Sequence, residues 1–172
     1  EGGLRMRVAI NLSVHQLRQD DLADRIDAAL KRHEVNPTLL TCEITESVAM
    51  ENNSSSKALF DKLEQVGVHI SIDDFGTGYS SLSYLRQLPV SGVKIDACFV
   101  QGMEEHESDR VLVEILCQLV RRLGLGLLAE GIETEAQRQL LLQMGCPYGQ
   151  GYLLSPALPV AEFESRFLPP AR

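Results

Sequence analysis

The chain of 172 residues has the size of one domain with one core, and its 44% hydrophobic and 23% charged residues exclude global disorder. Sixteen basic against 24 acidic residues give a net charge of −8, which argues against broad electrostatic binding to DNA or RNA and requires any anionic ligand to meet a local reversal of the field. No apolar run approaches the ~18 residues of a membrane span, and Glu1-Gly2-Gly3-Leu4-Arg5 lacks the pattern of a signal peptide, so a soluble, cytoplasmic chain is expected.

In chain order, short apolar or alternating runs alternate with longer segments of helical period, as in successive βα units. The run Met6 to Asn11 precedes an amphipathic helix predicted over Val14 to His33, with Leu17, Leu22, Ile26 and Leu30 on its apolar face. Leu39 to Ile44 is the second run; Asn53 or Ser54 then caps a helix carrying Ala58, Leu59, Leu63 and Val66, which Gly67 ends. The third, Val68 to Ile72, breaks into the loop Asp73-Asp74-Phe75-Gly76-Thr77-Gly78-Tyr79-Ser80-Ser81, where Phe75 and Tyr79 suit packing and stacking equally. Gly92 to Ile95 leads through a polar connection to a helix capped near Ser108 and stopped by Gly124. Leu125 to Ala129 precedes Glu130-Gly131-Ile132-Glu133, after which Thr134 and Gln137 have the spacing of a capping box, and Gly145 and Pro147 stop that helix. A sixth run, Tyr148 to Leu154, is followed by a helix with Pro159 in its first turn.

Two motifs are decoys. Gly124-Leu125-Gly126-Leu127-Leu128-Ala129 fits a dinucleotide fingerprint, but a helix precedes it and a strand overlaps it, the reverse of the required order. Asn52-Asn53-Ser54 has the form of a glycosylation acceptor, irrelevant in a cytoplasmic chain. The four cysteines, Cys42, Cys98, Cys117 and Cys146, contain no CxxC pair and read as small buried thiols; the four histidines have no ligand spacing, which argues against zinc.

Each run ends on its C-terminal side in a residue able to bind a metal, a phosphate or a proton: Asn11, Glu43, Asp73 with Asp74, Lys94 with Asp96, Glu130, and Gln150. An open sheet concentrates its site at one switch point, whereas a TIM-type (β/α) barrel gathers residues from many strand ends, so the pattern favours the barrel. A complete barrel of eight units needs about 250 residues. The expectation is therefore an α/β, TIM-type barrel that is incomplete, with about six of eight βα units, the chain forming the C-terminal three-quarters (residues 1–172) of a single domain. Asn11, Glu43, Asp73, Asp74 and Glu130 at one mouth are an oxygen-donor set for Mg²⁺ or Mn²⁺; two such ions would relieve the repulsion between Asp73 and Asp74, and Lys94 adds a point charge.

The strings Asn11-Leu12-Ser13, Glu43-Ile44-Thr45-Glu46, Asp73 to Ser81, Lys94-Ile95-Asp96, Glu130-Gly131-Ile132-Glu133 and Gln150-Gly151-Tyr152 closely resemble, in order and spacing, the EAL domain family of bacterial cyclic di-GMP phosphodiesterases. The resemblance implies a two-metal (Mg²⁺ or Mn²⁺) hydrolysis of cyclic di-GMP to linear pGpG in second-messenger signalling. It implies that Asn11, Glu43 and Asp73 ligate one metal and that Asp74 and Glu130, with Asp73 shared, serve the other. Lys94 and Gln150 would position the attacking water, so that Lys94, Asp74, Glu130 and Gln150 form the catalytic set. Glu46 would anchor the acidic loop, and Asp96 and Glu133 would support the substrate. It further implies a homodimer or other self-association, and sensory or diguanylate cyclase domains upstream. The Glu-Ala-Leu motif that names the family does not occur in the chain, which the length deficit attributes to truncation; the chain alone is expected to be inactive. A catalytically silent cyclic di-GMP receptor is the alternative.

Overall fold

The computed structural model describes residues 6–50, 54–78 and 82–168. The proposed cap Asn53, with Asn52, and the loop residues Tyr79, Ser80 and Ser81 lie outside that set. Strand β1 (Val8–Asn11) is followed by helices α1 (Val14–Leu17) and α2 (Leu22–Arg32). After a 3₁₀ turn at Pro37–Leu39 come β2 (Leu40–Thr45), the short α3 (Glu46–Ala49) and α4 (Ser54–Val66). Then follow β3 (His69–Phe75), α5 (Leu82–Leu85), β4 (Gly92–Ile95), α6 (Ala97–Gly102) and α7 (Glu107–Arg122). The chain ends with β5 (Gly126–Ala129), α8 (Glu135–Gln143), β6 (Tyr148–Gly149) and α9 (Val160–Phe167).

The strands pair in chain order, β1 through β6, and every pairing is parallel. With helices packed on one face, they form a curled part of a TIM-type (β/α) barrel of six strands. Side chains alternate across this sheet as the period of two requires. Cys42, Ile44, Ile70, Ile72, Val93, Ile95, Leu127 and Ala129 point to the helices and are 4% exposed or less. Burial of each larger one contributes about 1.5–3 kcal/mol of transfer free energy, so the main core lies between sheet and helices. It is completed by Leu59, Phe60 and Leu63 of α4, Val113, Leu116 and Val120 of α7, and Leu141 of α8. The opposite residues, Thr41, Glu43, Ser71, Gly92, Lys94, Gly126 and Leu128, line an open groove of about 1080 Å³ on the concave side. No helix among the described residues is long and apolar enough to cross a membrane.

The single helix expected over Val14 to His33 is two helices. Leu17 and Leu22 are five residues apart, about 140° around a continuous helix, and the turn between α1 and α2 brings both toward the core, Leu22 buried and Leu17 partly so. The polar connection after β4 contains α6, capped by the Asp96 side chain, which accepts from the Cys98 N–H at 2.7 Å. Helix α7 starts from His106 rather than near Ser108, and Pro159 is the N-cap of α9 rather than a residue of its first turn. The sixth strand keeps only two residues, because the Gln150 carbonyl accepts from the Ile132 N–H (3.0 Å) and draws the chain onto the loop after β5. Cys98 is exposed; the other three cysteines are buried. The predicted Thr134/Gln137 capping box is present.

Candidate metal and substrate site

Strand β4 carries Lys94 on the concave face, 4% exposed, at the centre of the mouth. Its ammonium lies 2.9 Å from Glu43 Oε2, 3.0 Å from Asp73 Oδ1 and 2.6 Å from Glu130 Oε1. These carboxylates come from β2, β3 and the residue after β5. Gln150, just beyond β6, donates from Nε2 to Glu130 Oε1 at 2.6 Å.

Alternation along β3 would put Asp73 and Asp74 on opposite faces. The β3–β4 register shifts between Ile72 and Phe75, and Asp74 adopts a left-handed φ of 56°. A bulge of this kind re-aims a side chain. Both acids thereby reach one mouth: Asp73, Asp74 and Glu130 each offer an oxygen within 4.8 Å of the others, and the Asp74 N–H donates to Asp73 Oδ1 at 3.1 Å. This is a cluster able to hold a divalent cation.

The electrostatics follow from the crowding. Burial, reinforced by the neighbouring charges of Asp73 and Asp96, raises the Asp74 carboxyl above the usual aspartate range. Burial also raises Glu130, outweighing the pull of Lys94 in the other direction. Burial by itself would lower Lys94, but hydrogen bonds to Glu130, Glu43 and Asp73 win and hold the ammonium well above the usual lysine value. Hydrogen bonding from Cys98 keeps Asp96 below the usual aspartate value. Its side chain also meets that of Asp74, which ties the start of α6 to the mouth.

The start of the loop after β3 is anchored by the Glu46 side chain. Glu46, 2% exposed at the first position of α3, accepts from the Gly76 N–H at 2.8 Å and the Gly78 N–H at 3.4 Å through Oε2. A Cβ added at Gly78 would lie 2.9 Å from Glu46 Oε1, so the carboxylate seats directly against a glycine.

The predicted residues therefore fall into groups. Glu43, Asp73, Asp74, Lys94, Glu130, Gln150 and, through Asp74, Asp96 come together. Asn11 stands beside Glu43 in the β1–β2 register but joins none of the hydrogen bonds that link the others among the described residues. Glu133 has other partners: its carboxylate accepts from Gln101 Nε2 at 3.2 Å and its N–H donates to Gln137 Oε1 at 2.8 Å. Gln101 lies in α6, whose six residues carry too little periodicity to be legible in the sequence, whereas Gln137 is legible as the partner in the capping box.

Fold and mouth together define a (β/α) barrel protein with an all-oxygen, lysine-centred acidic site at the carboxyl ends of its strands. The family profile described as EAL domain matches residues 2–157, and the chain belongs to the EAL domain family. The Pseudomonas aeruginosa bifunctional diguanylate cyclase/cyclic di-GMP phosphodiesterase MucR is 43% identical over 155 residues, 90% of this chain and 23% of MucR. The cyclic di-GMP phosphodiesterase NbdA of the same organism is 37% identical over 163 residues, 95% of this chain and 21% of NbdA. Among solved structures, the PaMucR phosphodiesterase in complex with c-di-GMP superposes with a TM-score of 0.88 at 43% identity, covering 91% of this chain and 64% of that one. The chain thus spans about a fifth of the length of these curated relatives.

Proposed function

We propose that this chain supplies the larger part of the active site of a cytoplasmic cyclic di-GMP phosphodiesterase, which opens one phosphodiester of the ring to give linear pGpG in bacterial signalling. The observation that carries the reading is the meeting of Asp73, Asp74 and Glu130, with one oxygen of each within 4.8 Å of the others, around the Lys94 hub at the strand ends. The activities named for MucR and NbdA support it. MucR's two activities also support a longer protein in which a cyclase domain accompanies this one.

The donor set fits Mg²⁺ or Mn²⁺, since it is built from carboxylate and amide oxygens with no imidazole or thiolate. Asn11, Glu43 and Asp73 would hold one ion and Asp73, Asp74 and Glu130 a second. When bound, such ions supply Lewis-acid stabilisation of the oxygens that gain charge during in-line displacement at phosphorus. The protein residues provide the frame. Lys94 fixes three acids and adds positive charge to a chain of net −8. Gln150 orients Glu130 through its N–H₂ group and keeps its carbonyl oxygen to align the attacking water. Glu46 sets the loop that follows the two aspartates, Asp96 at the N-cap of α6 flanks the substrate beside Asp74, and Glu133 braces the loop after β5 through Gln101.

The test is conversion of cyclic di-GMP by the full-length protein supplied with Mn²⁺. Turnover to pGpG is expected, and Asp73→Asn should reduce it by at least about 100-fold, beyond what the loss of an outer-shell partner costs. Metal-loaded protein that releases no product overturns the reading, and binding without turnover selects a silent receptor. The 172-residue chain alone, which contains no Glu-Ala-Leu triplet, should turn over little; robust hydrolysis by it contradicts that.

A further inference from the structure

Lys94 is one of the few buried charged side chains, and its ammonium meets three carboxylates from three separate places in the sheet. Three acceptors match the three donors of an ammonium on a flexible stem. Two of those carboxylates, Asp73 and Glu130, also belong to the trio able to receive a divalent ion, with Asp74 as its third member. The same acids therefore serve both a covalently tethered cation and a candidate metal position.

We infer that Lys94 is the resident cation of the mouth, a positioning residue that holds the ends of β2, β3 and β5 together by neutralising Glu43, Asp73 and Glu130, and that a divalent ion can partly take over this work. A buried carboxylate deprived of its counter-charge strongly destabilises what surrounds it. Without Lys94 the three acids repel one another, and local stability becomes dependent on metal. A lysine that merely filled space would leave a defect that metal does not repair.

This inference rests on the reading of the mouth as a divalent-metal site, and hydrogen exchange resolved by peptide separates the two, because it reports local opening rather than activity. The full-length protein, Lys94→Met and the double variant Glu43→Gln/Lys94→Met are compared in EDTA and in saturating Mn²⁺. In EDTA the peptides covering Leu40–Thr45, His69–Phe75 and Gly126–Ala129 should exchange about tenfold or more faster in Lys94→Met than in the wild type. Mn²⁺ should close most of that gap, and the double variant, with one fewer buried anion, should regain part of the protection even in EDTA. Equal protection of Lys94→Met and wild type in EDTA overturns the inference, as does a gap that Mn²⁺ leaves unchanged while it protects the wild type. If Mn²⁺ alters neither protein, the metal-site reading falls as well. If Lys94→Met does not fold, the double variant decides: recovery of folding supports the inference, and continued failure overturns it.

Discussion

Asp74 is the residue at which local geometry and charge meet most closely. Its left-handed backbone turns it into the mouth beside Asp73, and there burial and two acidic neighbours hold its carboxyl above the value of 3.8 that it has in an unstructured chain. A carboxyl with a raised folded value takes up its proton earlier in the folded state, so its ionised form weighs against folding at neutral pH and the penalty is lifted as pH falls toward the ordinary aspartate range. Asp74→Asn removes the charge, and asparagine tolerates positive φ. In EDTA the variant should therefore be more stable than the wild type near pH 7, with the advantage shrinking as pH approaches the usual aspartate range; denaturant unfolding at several pH values measures this. In Mn²⁺ the order should reverse at pH 7, since the variant loses a ligand. The acid itself was legible in the sequence, as an adjacent pair closing an alternating run. Its orientation was not, because strict alternation predicts opposite faces and nothing in the residue types announces the bulge. Lys94 was legible as a charge at the end of a strand, but its threefold pairing depends on distances across the sheet that no local pattern encodes.

Among the elements, β4 was read to the residue, because Gly92 to Ile95 is a short apolar run between polar segments. Helix α6 went unseen: six residues carry less than two turns of periodicity, and only the Asp96 cap marks its start. Yet α6 supports the loop after β5. Gly131 has a φ of +67°, and a Cβ placed there would lie 2.5 Å from the Cβ of Ala97 in α6. Gly131→Ala should cost about 1–3 kcal/mol from backbone strain alone, with further loss from the clash, and should lower metal affinity by displacing Glu130; unfolding by denaturant and a Mn²⁺ titration would show both. The start of α6 also carries the one exposed thiol among four, Cys98, which partial burial and a hydrogen bond to Asp96 push up to about 11. Alkylation of the native protein near pH 8 should reach Cys98 first, and slowly, with Cys42, Cys117 and Cys146 modified only on unfolding. Mass spectrometry of the labelled peptides checks the order.

At the scale of the molecule, the described sheet has two outer strands, β1 and β6. All four residues of β1 are exposed, Val8 at 58% and Ile10 at 37%, and Tyr148 at the start of β6 is 66% exposed. Unpaired parallel edges with apolar side chains invite pairing with another chain. The 172-residue chain in isolation should self-associate in proportion to its concentration, as light scattering would detect; a stable monomer across the accessible range contradicts this. The curl of the same sheet has a quantitative consequence for the site. Neighbouring strands lie about 4.8 Å apart, so on a flat sheet the three steps from β2 to β5 would put the backbones of Glu43 and Glu130 about 14 Å from one another. Both side chains nevertheless touch one nitrogen atom. The mouth is thus a gauge of curvature: any force that flattens the strands opens the distances between its acids, and any ion that draws the acids together bends the sheet.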